Sequence, residues 1–432
     1  FKNGKVSEAR LDEAVKYVVR LKFKMGLFEN PYVNEKLPAK VVRNAQHIAL
    51  AKEVALEGIT LLKNQGNLLP LSKNLKKIAV IGPNADTMYN QLGDYTAPQD
   101  PEYIITPLEG IRAKWPNAQI SYVKGTAIRD TTQTDIPAAV KAAQDAEVAI
   151  VVLGGSSARD FKTEYLETGA ATVSSKDDNI LSDMESGEGY DRASLDLMGK
   201  QLELLQAVEA TGTPTILVLI TGRPLLINWP AKYIPAILDA WYPGSQGGHA
   251  LADVLIGEYN PAGRLPISIP RSVGQTPVYY NHWWPKRRDY VEESASALYA
   301  FGHGLSYTTF DYSDLKISQS GTGTDKLIEV SVTVKNTGAQ AGDEVVQLYL
   351  RDVVSSVVTP VKQLRGFERI HLAKGESKTL RFTLTPEELA LYNADMEQVT
   401  EAGEFEVQIG ASSRDIRLSG TLTLNETIYL KN

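Results

Sequence analysis

Between positions 183 and 192 the chain reads Asp183-Met184-Glu185-Ser186-Gly187-Glu188-Gly189-Tyr190-Asp191-Arg192, and Glu188 stands there between two glycines. A carboxyl group flanked in this way can approach a substrate closely, because neither neighbour carries a side chain. Partial burial beside Tyr190 would raise its pKa and keep it protonated, as a general acid requires. Asp191 and Arg192 are placed to limit water and fix the local backbone. Ten carboxylates fall between Asp160 and Asp196. Most of them are expected to be solvated loop charges, and the glycine setting is what singles out Glu188.

The surroundings of that stretch support the choice. An apolar run at 148–153 predicts a buried strand ending in Gly154-Gly155, and helical spacing resumes at 195–211. Residues 156–194 show no sustained period. A connection of that length inside an α/β unit is commonly functional. It leaves the carboxyl end of a strand, the side on which open α/β sheets bind their ligands.

Other groups converge on the same edge. Ile81-Gly82-Pro83-Asn84-Ala85-Asp86 follows a predicted strand but lacks the glycine spacing and the terminal Lys-Ser/Thr of a phosphate loop, and Pro83 removes a donor. A tight strand-to-loop turn is expected instead, lining a cleft edge together with Gly93-Asp94-Tyr95. Asp94, Tyr95 and Tyr190 are the candidates for substrate contact. Trp241-Tyr242-Pro243-Gly244 also sits at a strand end, where it could face the cleft. Trp283-Trp284, with Arg287-Arg288, suits either stacking on a sugar or pinning two domains together.

Composition narrows the function classes. With 432 residues, two domains plus connecting pieces are expected. A net charge of −7 argues against a nucleic-acid partner, which needs concentrated Lys and Arg. A neutral or weakly charged ligand fits better. The absence of cysteine removes disulfides, thiolate nucleophiles and thiolate metal sites. His47, His249, His282, His303 and His371 are scattered without metal-ligand spacing, and His249 reads as structural. No Gly-x-Ser-x-Gly elbow occurs. The apolar runs are far shorter than the roughly 18–20 residues of a membrane helix.

The elements read as follows. Ser7 and the apolar series Leu11, Val15, Val18, Val19 predict a helix ended by Gly26, then a linker over 30–38. A helix over 44–58 and a short strand over 59–64 follow. Strands at 77–81, 119–123, 148–153, 215–220 and 237–240 alternate with helices at 107–115, 137–146, 195–211 and 246–255. That alternation predicts a mostly parallel sheet covered on both faces, an α/β sandwich. Residues 270–298, rich in Pro, Tyr and Trp, read as a connector. Strands at 327–335, 344–351, 362–371, 377–384, 403–409 and 420–425 then have the spacing of an all-β sandwich, with turns at Asn336-Thr337-Gly338 and Lys374-Gly375-Glu376.

Several motifs carry a family resemblance. Gly26-Leu27-Phe28, Glu57-Gly58-Ile59-Thr60-Leu61-Leu62-Lys63-Asn64, Leu69-Pro70-Leu71, Ile81-Gly82-Pro83-Asn84-Ala85, Trp241-Tyr242-Pro243-Gly244 with Gln246-Gly247-Gly248, Asn260-Pro261-Ala262-Gly263-Arg264-Leu265-Pro266 and Phe301-Gly302-His303-Gly304-Leu305-Ser306-Tyr307 resemble glycoside hydrolase family 3, the β-glucosidase and β-xylosidase family. The resemblance runs essentially end to end. It implies an α/β sandwich followed by a fibronectin-III-like domain, preceded in the family by a barrel that supplies the aspartate nucleophile.

Phe1 opens the chain directly into a helical pattern, so further sequence is expected upstream. The implied divisions are 1–38, helix and linker leaving the barrel; 39–269, the α/β sandwich with the acid/base loop; 270–306, the connector; and 307–432, the fibronectin-III-like domain. Ser186-Gly187-Glu188-Gly189-Tyr190 matches the context of the family's acid/base glutamate, with Glu185 the alternative because loop length there varies.

The implied activity is that of a retaining, exo-acting β-glycosidase, most simply a β-glucosidase, with β-xylosidase the alternative. As an isolated chain it is expected to be inactive, or to serve as an assembly or carbohydrate-contacting module. The implied partners are a β-linked oligosaccharide or glycoside and the barrel; a homo-oligomer is compatible, and neither nucleic acid nor membrane is implied. No metal or organic cofactor is required. The resemblance favours a periplasmic or secreted location.

Overall fold

The computed structural model describes residues 3–96, 99–157, 183–187, 191–283 and 289–430. Of the sequence candidates, Glu188, Tyr190, Trp284, Arg287 and Arg288 lie outside the described residues. The chain divides into two compact units, Phe1–Leu50 and Ala51–Asn432.

In the first unit, α1 (Glu8–Lys24) begins where the sequence places it. Ser7 is extended and its side-chain oxygen accepts the Arg10 N–H at 3.2 Å, satisfying one of the orphan donors of the first turn. Glu8 at the start and Lys22 and Lys24 at the end complement the helix dipole. Gly26, at φ 65°, follows the helix end. A single turn, α2 (Pro38–Val41), comes next, and α3 (Ala45–Gly58) runs from the first unit into the second.

The second unit then alternates β1 (Thr60–Asn64), β2 (Lys77–Ile81), α4 (Pro107–Lys114), β3 (Gln119–Val123), α5 (Ile136–Gln144), β4 (Val148–Gly154), α6 (Gln201–Glu209), β5 (Thr215–Ile220), α7 (Asn228–Tyr233), β6 (Ala236–Asp239) and α8 (Gly247–Ile256). The six strands form one sheet in the order β1-β6-β5-β4-β2-β3. Only the edge strand β1 is antiparallel; every other pairing is parallel. Period-two alternation sends Ile78, Val80, Ile150, Val152, Ile216 and Val218 to one face, against Leu108 and Ile111 of α4 and Leu251, Val254 and Leu255 of α8. Ala79, Ile81, Val151, Leu153, Leu217 and Leu219 face the other side, against Ala139 and Ala143 of α5 and Leu204, Leu205 and Val208 of α6. A parallel sheet buried on both sides requires these nearly continuous apolar runs, and every residue of β4 and β5 is buried.

Two helices of the α/β part differ from the sequence expectation. The helix expected over 195–211 occupies only Gln201–Glu209. Its intended first turns are held extended, because the Leu226 N–H donates to the Leu195 carbonyl at 2.9 Å and Asp196 pairs with Leu226 as an isolated bridge. The short helix α7 was not expected, and it contains Pro230. The proline sits in the first turn of that helix, where its missing N–H costs nothing.

Beyond the connector, the chain forms β7 (Phe310–Ser320), β8 (Leu327–Asn336), β9 (Gly342–Asp352), β10 (Gln363–Leu372), β11 (Ser377–Leu384), the turn α9 (Pro386–Leu389), β12 (Leu391–Tyr392), β13 (Gln398–Thr400), β14 (Gly403–Gly410), β15 (Ile416–Leu424) and β16 (Ile428–Tyr429). Sheets ordered β10-β9-β14-β15 and β11-β8-β7 face each other. Val330, Val332 and Val334 of β8 meet Val346, Leu348 and Leu350 of β9 and Phe405, Val407 and Ile409 of β14 in the core between them. Strand β7 escaped the sequence reading because its register shifts between Ser313 and Lys316, around Asp314 at φ 55°, and the bulge breaks the alternation. The fold is an α/β sandwich with a mostly parallel sheet, followed by a β-sandwich.

Candidate functional site at the carboxyl edge of the parallel sheet

Strands β2, β4, β5 and β6 all end on the same edge of the sheet, and the polar residues after them form a bonded cluster. The turn after β2 is possible only because Gly82, at φ 119°, carries no side chain. A Cβ there would collide with the Val152 backbone, and the same holds for Gly154 against Ile220. Asn84, fully buried, uses this close approach: its amide donates to the carbonyls of Gly155 (3.0 Å) and Ile220 (3.2 Å). Its carbonyl oxygen accepts from Asn90 (2.8 Å), whose own oxygen accepts from the Ser156 hydroxyl (2.8 Å). The turn at 81–86 thus works as an internal clamp, with Asn84 facing inward rather than along a cleft edge.

The turn after β6 closes the other side. Trp241 adopts φ 55° and its N–H donates to the Asp239 carboxyl at 3.1 Å. Asp239 is 1 % exposed, and burial pushes its pKa up to about 7. The next residue, Tyr242, lays its ring against Gly93 and Gly222 and bonds the Ser157 hydroxyl; burial raises its pKa. Gln91 ties the edge together, its amide donating to Gly244 (2.8 Å) and Ile105 (3.0 Å).

The two described ends of the acidic stretch are fastened to this edge. The Asp183 carboxylate accepts the backbone N–H groups of Ile128 (3.0 Å) and Arg129 (2.8 Å), after β3. The Arg129 guanidinium donates to the Met184 carbonyl at 2.8 Å. The Glu185 N–H donates to Ser156 at 2.8 Å, and the Glu185 carboxylate is paired with Arg192. Arg192 also donates to the carbonyls of Ser194 and Asp196. Asp191 pairs with Arg223, after β5, at 2.8 Å, and the Arg192 N–H together with that guanidinium holds its carboxyl below the usual range.

Glu185, the alternative acid/base candidate, is therefore 2 % exposed and turned toward Arg192 within its own unit. Asp94 lies beside the glycine preceding Glu188, since a methyl group added at Gly187 would stand 3.4 and 3.5 Å from its two carboxylate oxygens. Tyr95 is 83 % exposed. Sequence reasoning had not singled out Asp183, Asn84 or Asn90. An acid four residues before the Gly-Glu-Gly motif carries no signal until β3 is seen to end beside it.

Elsewhere, the His303 ring nitrogen meets the Leu62 carbonyl at 3.0 Å, and burial lowers its pKa. His249 is lowered for the same reason. Among the described residues, no group of three His, Asp or Glu is arranged to hold a metal ion. Nor is any described helix long and apolar enough to cross a membrane.

Comparison with known proteins agrees with this architecture. The glycosyl hydrolase family 3 C-terminal domain matches residues 59–307, and a fibronectin type III-like domain matches residues 344–413. A periplasmic β-glucosidase of Salmonella typhimurium is 38 % identical over 96 % of this chain and 56 % of its own length. A β-xylosidase of Formosa agariphila is 39 % identical over 94 % of this chain and 54 % of its own. The crystal structure of a Listeria innocua β-glucosidase in complex with isofagomine superposes with a TM-score of 0.85 at 31 % identity, covering 99 % of this chain and 57 % of that one. The chain thus spans a little over half the length of these relatives.

Proposed function

This chain belongs to glycosyl hydrolase family 3, and from that membership we propose that it is the acid/base half of a retaining, exo-acting β-glycosidase, with Glu188 as the proton donor. The nucleophile comes from a barrel domain outside these 432 residues, and the divisions 1–38, 39–269, 270–306 and 307–432 follow the same reading. The observation that carries the proposal is the double anchorage around the motif: Asp183 and Glu185 before it and Asp191 after it are bonded to the carboxyl edge of the parallel sheet, and Arg192 pairs with Glu185 across it. Glu185 is already spent on Arg192 inside its unit, which favours Glu188. Asp94, beside Gly187, and Tyr95 and Tyr190 are placed in the reading as substrate contacts.

Retaining hydrolysis needs two carboxyl groups about 5–5.5 Å apart, one attacking the anomeric carbon while the other protonates the leaving oxygen. The donor, once deprotonated, takes a proton from water as that water displaces the enzyme carboxylate from the sugar. Division of the pair between domains makes their docking a determinant of rate, because misplacement of about 1 Å costs on the order of a hundredfold. The substrate is a β-glucoside by similarity to the Salmonella and Listeria enzymes; the equally similar Formosa β-xylosidase supports a β-xyloside as the second reading.

The test is Glu188→Ala in the full-length enzyme. Deglycosylation is expected to slow strongly while aryl glycosides with good leaving groups still glycosylate the enzyme, and azide is expected to restore turnover as a glycosyl azide. Unchanged kinetics would remove Glu188 from the role.

A further inference from the structure

A pocket of about 730 Å³ opens between the connector and the β-sandwich, away from the carboxyl edge of the parallel sheet. Its volume falls within the roughly 300–1,000 Å³ typical of small-molecule sites, well above a packing defect. Three features of the lining point to one kind of occupant.

The first is a set of exposed aromatic faces on fixed supports. Trp283 is 62 % exposed and Tyr392 55 %. Trp283 bridges Pro360, and the adjacent His282 carbonyl accepts the Val361 N–H at 3.0 Å, so the connector backbone is tied to the segment entering β10. Behind it, the Tyr280 ring stacks on Phe301 at 4.3 Å and its hydroxyl accepts the Leu364 N–H at 3.1 Å. Tyr392 is held from another direction, in β12 against β13. An indole exposed at a pocket mouth yet tied down through its backbone has already paid the ordering entropy that stacking demands.

The second feature is a guanidinium in the lining: Arg365 borders the pocket and donates to Gln363, another lining residue.

The third is a balanced set of polar groups. Asp352 and Glu388 bring acceptors, Arg365 brings donors, and Asn281 and Gln363 bring both. Burial, with Glu401 nearby, pushes Asp352 up to about 6, so hydroxyl donors close to it would offset the cost of its charge. Glu388 is already fixed, its carboxylate accepting both the N–H and the hydroxyl of Thr385 at 2.6 Å. Opposite charges within one pocket exclude a strongly charged ligand. Mixed donors and acceptors below aromatic faces suit a ring with C–H groups on one face and hydroxyls around its rim.

We propose that this pocket is a second carbohydrate site, which takes a neutral pyranose oligosaccharide with Trp283 and Tyr392 as stacking platforms and Arg365 as a hydroxyl-binding donor. The ligand class follows from the lining alone and does not depend on the glycosidase reading. The site would hold the enzyme on a polymeric or oligomeric glycan without taking part in bond cleavage.

Saturation-transfer NMR and calorimetric titration of the 432-residue chain with cellotetraose and xylotetraose are expected to show binding of at least one of them at millimolar concentration. Trp283→Ala and Tyr392→Ala are each expected to weaken it about tenfold or more, while Trp283→Phe keeps most of it. Both rings are surface residues. Should Trp283→Ala lose the native circular-dichroism spectrum, Tyr392→Ala on the separate strand decides. Absence of binding by both tetrasaccharides overturns the proposal, as does binding that both alanine variants leave intact, or binding only of the acidic probe trigalacturonate.

Discussion

Glu185 and Arg192, seven residues apart on either side of Glu188, form an ion pair whose side chains are 1 % and 2 % exposed. Removing one member of so buried a pair strands the other charge. Arg192→Ala is therefore expected to destabilise the protein by about 3–5 kcal/mol, and the double variant Glu185→Leu/Arg192→Met is expected to recover a substantial part of that loss. Urea denaturation of the single and double variants measures both. In the full-length enzyme, kcat should fall with little change in KM if, as proposed, Glu188 is the proton donor, because the pair flanks Glu188 without itself serving as a substrate contact. A loss below about 1 kcal/mol, the range of exposed pairs, would show that the pair is not a clamp.

Asp183 predicts a second effect at the same anchorage. Its carboxylate is the acceptor for two adjacent N–H groups, those of Ile128 and Arg129, and Ile128 is fully buried. Asp183→Ala leaves both without that acceptor, at about 1–3 kcal/mol each where no water replaces it. Asp183→Asn keeps one suitable oxygen and is expected to lose less. Equal unfolding midpoints for the two variants would mean that water reaches these amides.

How much of this was legible beforehand depends on the range over which each signal acts. The buried strands showed themselves because runs such as 216–220 are apolar at every position, as a strand covered on both faces requires. The α1 cap at Ser7 was equally local. Strand β7 hid behind its bulge, and residues 195–200 were drawn away from their helical pattern by a bond to Leu226, a partner thirty-one positions from Leu195. The site divides in the same way. Gly187-Glu188-Gly189 could be picked out from residue types alone. The fixing of its flanks by Asp183, Asn84 and Asn90 depends on strand ends that meet only in the folded sheet, so no spacing rule reveals it.

Asp239 gives a pH-dependent prediction with a definite sign. Burial raises its pKa from the usual 3.8 to about 7, so the folded protein holds a proton that the unfolded chain releases at lower pH. Its stabilising share is complete below about pH 4, is lost as pH rises toward 7, and changes no further above that. The total is on the order of 4 kcal/mol at most, at 1.36 kcal/mol per pKa unit. Asp239→Asn keeps an oxygen for the Trp241 N–H but cannot ionise. Urea titrations from pH 4 to 8.5 should therefore find the variant gaining on the wild type as pH rises. A constant difference across that range would show that Asp239 titrates near its ordinary value.

The contact between the α/β sandwich and the β-sandwich includes a second buried pair. Arg264, 9 % exposed, meets Glu344 of β9, 5 % exposed, at 3.0 Å, and the same carboxylate oxygen accepts from the Tyr312 hydroxyl at 3.2 Å and the Val345 N–H at 3.1 Å. Tyr312 responds to this setting, its pKa driven well above the usual phenol range by burial and by the neighbouring carboxylate. Arg264→Met removes the paired cation and leaves the buried Glu344 carboxylate with only the more distant Arg417 as a counter-charge, at an expected cost of up to about 3–5 kcal/mol. Glu344→Gln retains an acceptor for Tyr312 and Val345 and should cost less. In the double variant Arg264→Met/Glu344→Gln no buried carboxylate remains, so the two losses should fall well short of adding. Full additivity in that cycle, read from urea unfolding at pH 7, would show that the guanidinium and carboxylate act on stability independently.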